Sequence, residues 1–427
     1  MLPALLIFVL SLFVFYCIRF MVRHGEDIPA YFFLGFYLYT VFAQIGYVYY
    51  PELSKRLAYY GEEAFYSYWT FIFLSFVSAF AFYRLINFNL ARRPPAYWVS
   101  CSVYRKSALF YLLSMVMFAF CAIFFYRNRN MFGWGSGTSM GSTYFVIVFR
   151  YFTISIFIVY VLLRQSFSKF KLLLLILYVS LFIQVALAAG NRTNILALFV
   201  AVGFYELSPL IVSLRRHRSK LLVIGIASIV LFNALFALLE LRNFTNDISL
   251  SDLLGYESVH ENRPLAEKVL RQDYYAPSHT LFVAMDKNFV YPMEVIKSNS
   301  ANFLIGLRQP YLTEILVGMA TGESQERGVG WASYLFTEGY CFMGMLGFLY
   351  NGLIWNLLLR LILFFSRSNN PLYNRFFYAL TAYYVLIWVR AQSCIMAQSL
   401  WFTYLPTLFL FSLAMNGRIW VRSRVLH

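Results

Sequence analysis

Runs of about twenty apolar residues recur from one end of this chain to the other, beginning with "LPALLIFVLSLFVFYCI" (2–18) and including "LLLLILYVSLFIQVALAA" (172–189). A helix that satisfies its own backbone needs ~20 such residues to cross hydrocarbon, and a chain with this many of them has few other ways to fold. Composition agrees: 61% of the residues are hydrophobic and 13% are charged, where a soluble domain carries about 25% charged residues. The expectation is an all-α polytopic membrane protein. The first run has the length of a signal peptide but lacks its basic start and small-residue cleavage site, so it reads as a retained first span. Hydropathy predicts eleven spans, near 2–18, 30–50, 66–83, 107–126, 143–163, 172–189, 193–214, 221–239, 340–364, 376–389 and 399–415.

The net charge of +16 invites a nucleic-acid partner, but its distribution argues against one. With alternate loops assigned to opposite sides, twenty of the thirty-five Lys and Arg residues fall on one side, where the acids are Glu26 and Asp27. The positive-inside rule makes that side cytoplasmic, with the N-terminus outside and the C-terminus inside. The basic excess is then a topology signal and an attraction to anionic head groups. The five cysteines are scattered and form no CxxC or His/Cys pair, which fits buried thiols packing as small hydrophobes.

Residues 1–427 read as one integral membrane domain. One loop is long: residues 241–331, on the outer face between spans eight and nine. Loops this long usually carry function, and this one holds aromatics and apolar clusters that disordered segments lack. Short helices on the membrane surface are expected at 251–271 and 302–320. A further interfacial helix is expected at 329–339, with Gly344 and Gly347 allowing close helix contact within the span that follows.

Arginines in unusual places are the candidate site. Arg192 lies in "VALAAGNRTNILALFV", at the outer hairpin between spans six and seven, flanked by Asn191 and Thr193. Arg390, in "LIWVRAQSCIMAQSLWF", repeats the pattern between spans ten and eleven, beside Gln392, Ser393 and Gln398. Arg150 sits well inside a span, where a charge costs at least ~2.5–3.5 kcal/mol. It therefore serves a ligand or an ion pair, with Glu206 or Glu240 as the partner. Arg271 and Arg308 add cations from the long loop. The planar guanidinium suits bidentate binding of phosphate and stays charged. For a proton acceptor the same face offers His260, His279, Asp273, Asp286 and Glu338. Of these, Asp273 and His279 share the segment "RQDYYAPSHTLFV" with Arg271. The Gly-rich "GWGSGTSMGS" lacks the P-loop lysine, and no metal-binding motif is evident.

Four patches, in order, resemble the Wzy-type polymerases of bacterial surface polysaccharides: "AAGNRTNILALF", "LRQDYYAPSHTLFVAMDKN", "SYLFTEGYCFMGMLGFLYNG" and "VRAQSCIMAQSLWF". The resemblance implies a GT-C-like fold in the bacterial inner membrane with a site facing the periplasm, and no cofactor. The reaction it implies moves a growing glycan from undecaprenyl pyrophosphate to the non-reducing end of a new lipid-linked repeat unit. Donor and acceptor would both be undecaprenyl-pyrophosphate oligosaccharides, membrane lipids would surround the chain, and a chain-length-regulating co-polymerase would be its partner. Arg192, Arg271 and Arg390 would hold the pyrophosphate, with Arg150 and Arg308 as further cations. His279, Asp273 and Glu338 are the catalytic candidates, and the general base stays unassigned among them. Related O-antigen ligases carry a His just before the stretch that reads "YLFTEG" here, and this chain has none there. Two other functions stay open: ligation of glycan to a lipid acceptor, and lipid-linked oligosaccharide transport.

Overall fold

The structure, a computed structural model, describes residues 2–42, 62–88, 90, 107–127, 143–165, 167–188, 192–212, 276–303, 312, 315–316, 334–366 and 371–415. Among these residues the fold is entirely helical. Five helical segments are long and apolar enough to cross a membrane: Leu5–Arg23, Ala64–Asn87, Ile147–Arg164, Leu335–Phe364 and Ser393–Phe411. Asp27–Phe42, Tyr111–Arg127 and Ala197–Glu206 are shorter apolar helices. The expected span at 221–239 and the expected helix at 251–271 lie outside the described residues. Of 302–320, residues 302–303, 312 and 315–316 are described, with Leu312 and Leu316 buried.

α1 (Leu2–Arg23) and α2 (Asp27–Tyr37, continued by a π turn Leu38–Phe42) form a hairpin. Gly25, with φ 74°, makes its turn. α3 (Glu62–Phe82) also ends in a π turn, Tyr83–Asn87. α4 (Ser107–Arg127), α5 (Thr143–Gln165), α6 (Lys169–Ala188) and α7 (Arg192–Val212) follow. α4 and α6 expose apolar edges, such as Leu112, Val116, Phe120 and Ile123 on α4 and Leu173, Ile176 and Leu177 on α6, while α5 is largely buried. That is the arrangement expected where the surrounding medium is lipid.

The long loop contributes two helices that hydropathy did not reveal, α8 (Ala276–Asp286) and α9 (Pro292–Phe303). Both are short, and α9 is close to neutral in hydrophobicity, so neither produces an apolar run. α10 (Leu335–Met343) and α11 (Gly347–Phe364) form a tight hairpin. The expected single span from 340 is therefore broken. Gly344 takes φ 59° and ψ −138°, a backbone conformation open to glycine. Gly339 and Gly347 bring the two backbones together, since a methyl built on Gly347 would overlap the Gly339 carbonyl. Of the two glycines expected to allow close contact, Gly347 does so, against Gly339, while Gly344 instead makes the reversal between the helices.

α12 (Pro371–Trp388), α13 (Ser393–Ser399, continued by a π turn Leu400–Tyr404) and α14 (Leu405–Met415) complete the chain. α7 and α12 run antiparallel. Arg375 Nε donates to the Tyr205 carbonyl at one end, and the Tyr383 hydroxyl donates to Asn194 Oδ1 toward the other. α3 and α11 run parallel along an asparagine seam. Asn351 Nδ2 reaches Ser75 Oγ, Asn356 Nδ2 reaches the Ala79 carbonyl, and Asn87 Nδ2 reaches Asn356 Oδ1.

Residues that charge counting put on one side do gather at one end. The Arg84 guanidinium lies over the Phe20 and Phe88 rings, and Arg360 donates to the Ile86 carbonyl. Glu206 takes two hydrogen bonds from Arg164, at 2.7 and 2.8 Å, and one from Tyr160. Arg164 is fourteen residues beyond Arg150 on the same helix, so the Arg150–Glu206 pair anticipated above does not form.

Candidate functional site

At the opposite end, the turn between α12 and α13 meets the α10–α11 hairpin. α12 winds out through hydrogen bonds from Val389 N–H to the Val385 carbonyl and from Ala391 N–H to the Trp388 carbonyl. Gln392 is then extended (φ −67°, ψ 161°), and the chain re-enters helix at Ser393. Arg390 projects from this turn, half-buried, with its guanidinium 5.3 Å from the centre of the Tyr39 ring. That separation is within the range of a cation–π contact.

Three residues further on, Ser393 holds Glu338. Its backbone N–H donates to Glu338 Oε2 at 2.7 Å and its hydroxyl to Oε1 at 2.6 Å. Oε1 also accepts from Asn299 Nδ2 at 2.7 Å and from the Tyr350 hydroxyl. Glu338 is fully buried, and a buried carboxylate is tolerable only when its oxygens are paired or hydrogen-bonded in this way. Four elements meet on one side chain: α9 through Asn299, α10 through Glu338, α11 through Tyr350 and the α12–α13 turn through Ser393.

The hairpin glycines explain the meeting. A methyl on Gly339 would overlap Asn351, so the glycine lets α10 lie directly against the face of α11 that carries Tyr350 and Asn351.

α8 runs beside this cluster. Ser278 Oγ donates to the Tyr39 carbonyl at 2.7 Å, the Tyr68 hydroxyl donates to Ser278 Oγ at 3.1 Å, and the Thr280 and Thr337 hydroxyls are 3.3 Å apart. The backbone of His279 is therefore held between the residue that faces Arg390 and the residue next to Glu338. The side chain of His279 lies outside the described residues.

The backbone of Arg192 starts α7, two residues before the Asn194 that bonds Tyr383, and so at the same end as Arg390; its side chain is likewise outside the described residues. Arg150 is 4% exposed and lies on α5, one position before Tyr151, whose hydroxyl donates to the Phe402 carbonyl on the π turn Leu400–Tyr404. Asp273, Arg271 and Arg308 lie outside the described residues.

The sequence picked out Arg390, Gln392, Ser393 and Glu338, and the structure brings them to one place. It missed Tyr39, Asn299 and Tyr350. An aromatic in an apolar run and a lone Asn in a long loop carry no signal until the fold joins them. Gln392 and Gln398 are buried, and their Nε2 donors have no acceptor among the described residues. Below the turn, Phe32, Trp355, Trp388 and Met396 enclose an apolar void of about 10 Å³. Among the described residues, no group of three His, Cys, Asp or Glu side chains comes together. No family model, curated protein or solved structure matches the chain.

Proposed function

We propose that this chain is a metal-independent glycosyltransferase of the bacterial inner membrane that polymerises lipid-linked oligosaccharide repeat units. It carries eleven spans in a GT-C-like arrangement, with its site on the periplasmic side. The growing glycan leaves undecaprenyl pyrophosphate and joins the non-reducing end of the next unit. Arg390 binds the departing pyrophosphate, with Arg192 and Arg271 completing the cationic set and Arg150 and Arg308 adding charge around it. His279 or Asp273 accepts the proton of the acceptor hydroxyl. Glu338, a catalytic candidate in the sequence, is buried with both oxygens taken up by donors from Asn299, Tyr350 and Ser393, so its part in this reading is to secure the turn that carries Arg390. A chain-length-regulating co-polymerase is its partner in the membrane.

The observation that carries this reading is the joining of Arg390's turn to Glu338 through Ser393. A cation and a buried carboxylate chosen from sequence are carried to one end of the bundle, linked through Ser393, with α8 and the start of α7 at the same end. A fixed cation aimed at developing phosphate charge is the largest single contribution such a reaction can draw on.

The test is incubation of the purified protein, in detergent and without added metal, with synthetic undecaprenyl-pyrophosphate repeat units. A ladder of products that disappears with Arg390→Ala supports the proposal. Transfer to lipid A–core without a ladder would make the protein a ligase instead. Movement of the lipid-linked units between leaflets without any new glycosidic bond would make it a transporter.

A further inference from the structure

α9 is a twelve-residue helix too short to cross a bilayer, and its surface divides into three sectors. At 3.6 residues per turn, Val295, Ser298 and Asn299 share one sector, and they face the protein. Val295 and Ser298 are buried and Asn299 donates to Glu338. Glu294 and Lys297 share a second sector, exposed and bonded to each other at 2.9 Å. Met293 and Ile296 occupy the third, 63% and 47% exposed, with Ser300 between them, its hydroxyl donating to the Ile296 carbonyl.

The third sector does not stand alone. Tyr291, just before the helix, is 52% exposed, and its N–H donates to the Cys341 carbonyl on α10. From there the exposed apolar surface continues through Met343, Met345 and Leu346 at the hairpin turn. It then runs down α11 through Leu349, Leu353 and Leu357, a stripe at helical spacing. That stripe lies in Leu335–Phe364, one of the segments apolar enough to cross a membrane. Such a stripe on a spanning helix faces acyl chains. Met293 and Ile296 prolong it at the end of the bundle that carries the candidate site.

We infer that α9 is an in-plane membrane helix: its Met293–Ile296 edge lies in the head-group/acyl boundary of the leaflet on the site's side, its Glu294–Lys297 edge faces water, and its third edge forms a wall of the Glu338 site. The occupant of this surface is the bilayer itself. Two features favour lipid over a second protein. The patch is continuous with a membrane-crossing stripe, and two ion pairs with exposed lysines, Lys287–Asp286 and Lys297–Glu294, flank it at the polar boundary where head groups would lie. Asn299 thus ties a lipid-contacting helix to the buried carboxylate, and a lipid-tailed substrate arriving from the bilayer would meet α9 before it met the site. The inference rests on the membrane setting and not on glycosyl transfer, so either can fail without the other.

The test uses the full-length protein reconstituted in phosphatidylglycerol/phosphatidylethanolamine vesicles. A lipid-partitioned diazirine is photolysed, and labelled residues are located by mass spectrometry. Met293 and Ile296 are expected to label within about threefold of Leu349 and Leu353, and at least fivefold above Val295. In parallel, a water-soluble oxidant is expected to convert Met293 to the sulfoxide at least tenfold more slowly in vesicles than in the denatured chain. Labelling of Met293 and Ile296 no greater than that of Val295 overturns the inference. If oxidation is then fast, the edge faces water. If it is slow, another protein surface or a second copy of the chain covers it.

Discussion

Ser393 directs two donors, its backbone N–H and its hydroxyl, to the two oxygens of Glu338. Through that one residue the turn carrying Arg390 is fixed to the α10–α11 hairpin. Glu338→Gln should cost roughly 1.5–3 kcal/mol, the range for hydrogen bonds to a charged group. The carboxamide presents an NH2 where Asn299, Tyr350 or Ser393 also donates. Ser393→Ala removes the hydroxyl and keeps the N–H, so it should cost less, about 1 kcal/mol. Thermal unfolding in detergent gives the order, and a Ser393→Ala protein less stable than Glu338→Gln would undo this account.

Arg390 offers a sharper test, because its role is separable from stability. Half-buried over Tyr39, it should tolerate Arg390→Ala with little change in unfolding temperature. Loss of one preorganised charge should cut polymerisation by on the order of 10²–10³. Arg390→Lys keeps the charge but not the planar fork and should recover little of the rate. Chain-length ladders from cells carrying each variant measure this. Normal ladders for both would remove Arg390 from the site.

Much of the bundle was legible because lipid imposes one rule on every span. α1, α4, α5, α6 and α7 all fall on apolar runs visible in the sequence, since nothing other than helix can cross there. The hairpin at Gly344 was not legible. An interfacial helix and a span are expected to part at 339/340, but the reversal falls at Gly344 inside an apolar run, and the positive φ of Gly344 and the contact of Gly347 with Gly339 reveal it. α8 and α9 escaped for the opposite reason. Neither is apolar over a span's length, and what fixes them is hydrogen bonding from Ser278, Thr280 and Asn299 to distant residues. Arg390 was legible as an anomaly, a cation between apolar runs. Tyr39 and Tyr350 were ordinary aromatics among the chain's 34 tyrosines and 46 phenylalanines.

The asparagine seam makes the third prediction. Asn356 is buried and bonds the Ala79 and Gly352 carbonyls while accepting from Asn87. Interhelical hydrogen bonds in membranes are worth about 0.6 kcal/mol on average and up to about 1.7. Asn356→Leu should therefore destabilise by about 1–2 kcal/mol, while Asn87→Leu, which loses the donor of that bond, should cost less. The double variant should cost less than the sum, because the two residues share an interaction. Strict additivity in detergent unfolding would show that the seam does not act as a unit.

The glycines separate close approach from mere helix weakness. A methyl at Gly347 would overlap the Gly339 backbone, which has no flexible end to move aside. Gly347→Ala should therefore push α10 off α11 and cost roughly 1–3 kcal/mol, occasionally more. It should also loosen Glu338 from Tyr350, so polymerisation should fall with stability. Gly203, on α7, has no atom of the described residues within 4 Å of where its methyl would go, and there alanine brings better helix propensity. Gly203→Ala should be neutral or stabilising by up to about 1 kcal/mol, with polymerisation unchanged. The two variants differ by the same single methyl, so opposite shifts in unfolding temperature isolate the α10–α11 contact as the cause. Equal shifts of the same sign would mean that α10 does not pack on α11 in the membrane, and the Glu338 cluster would lose its geometric basis.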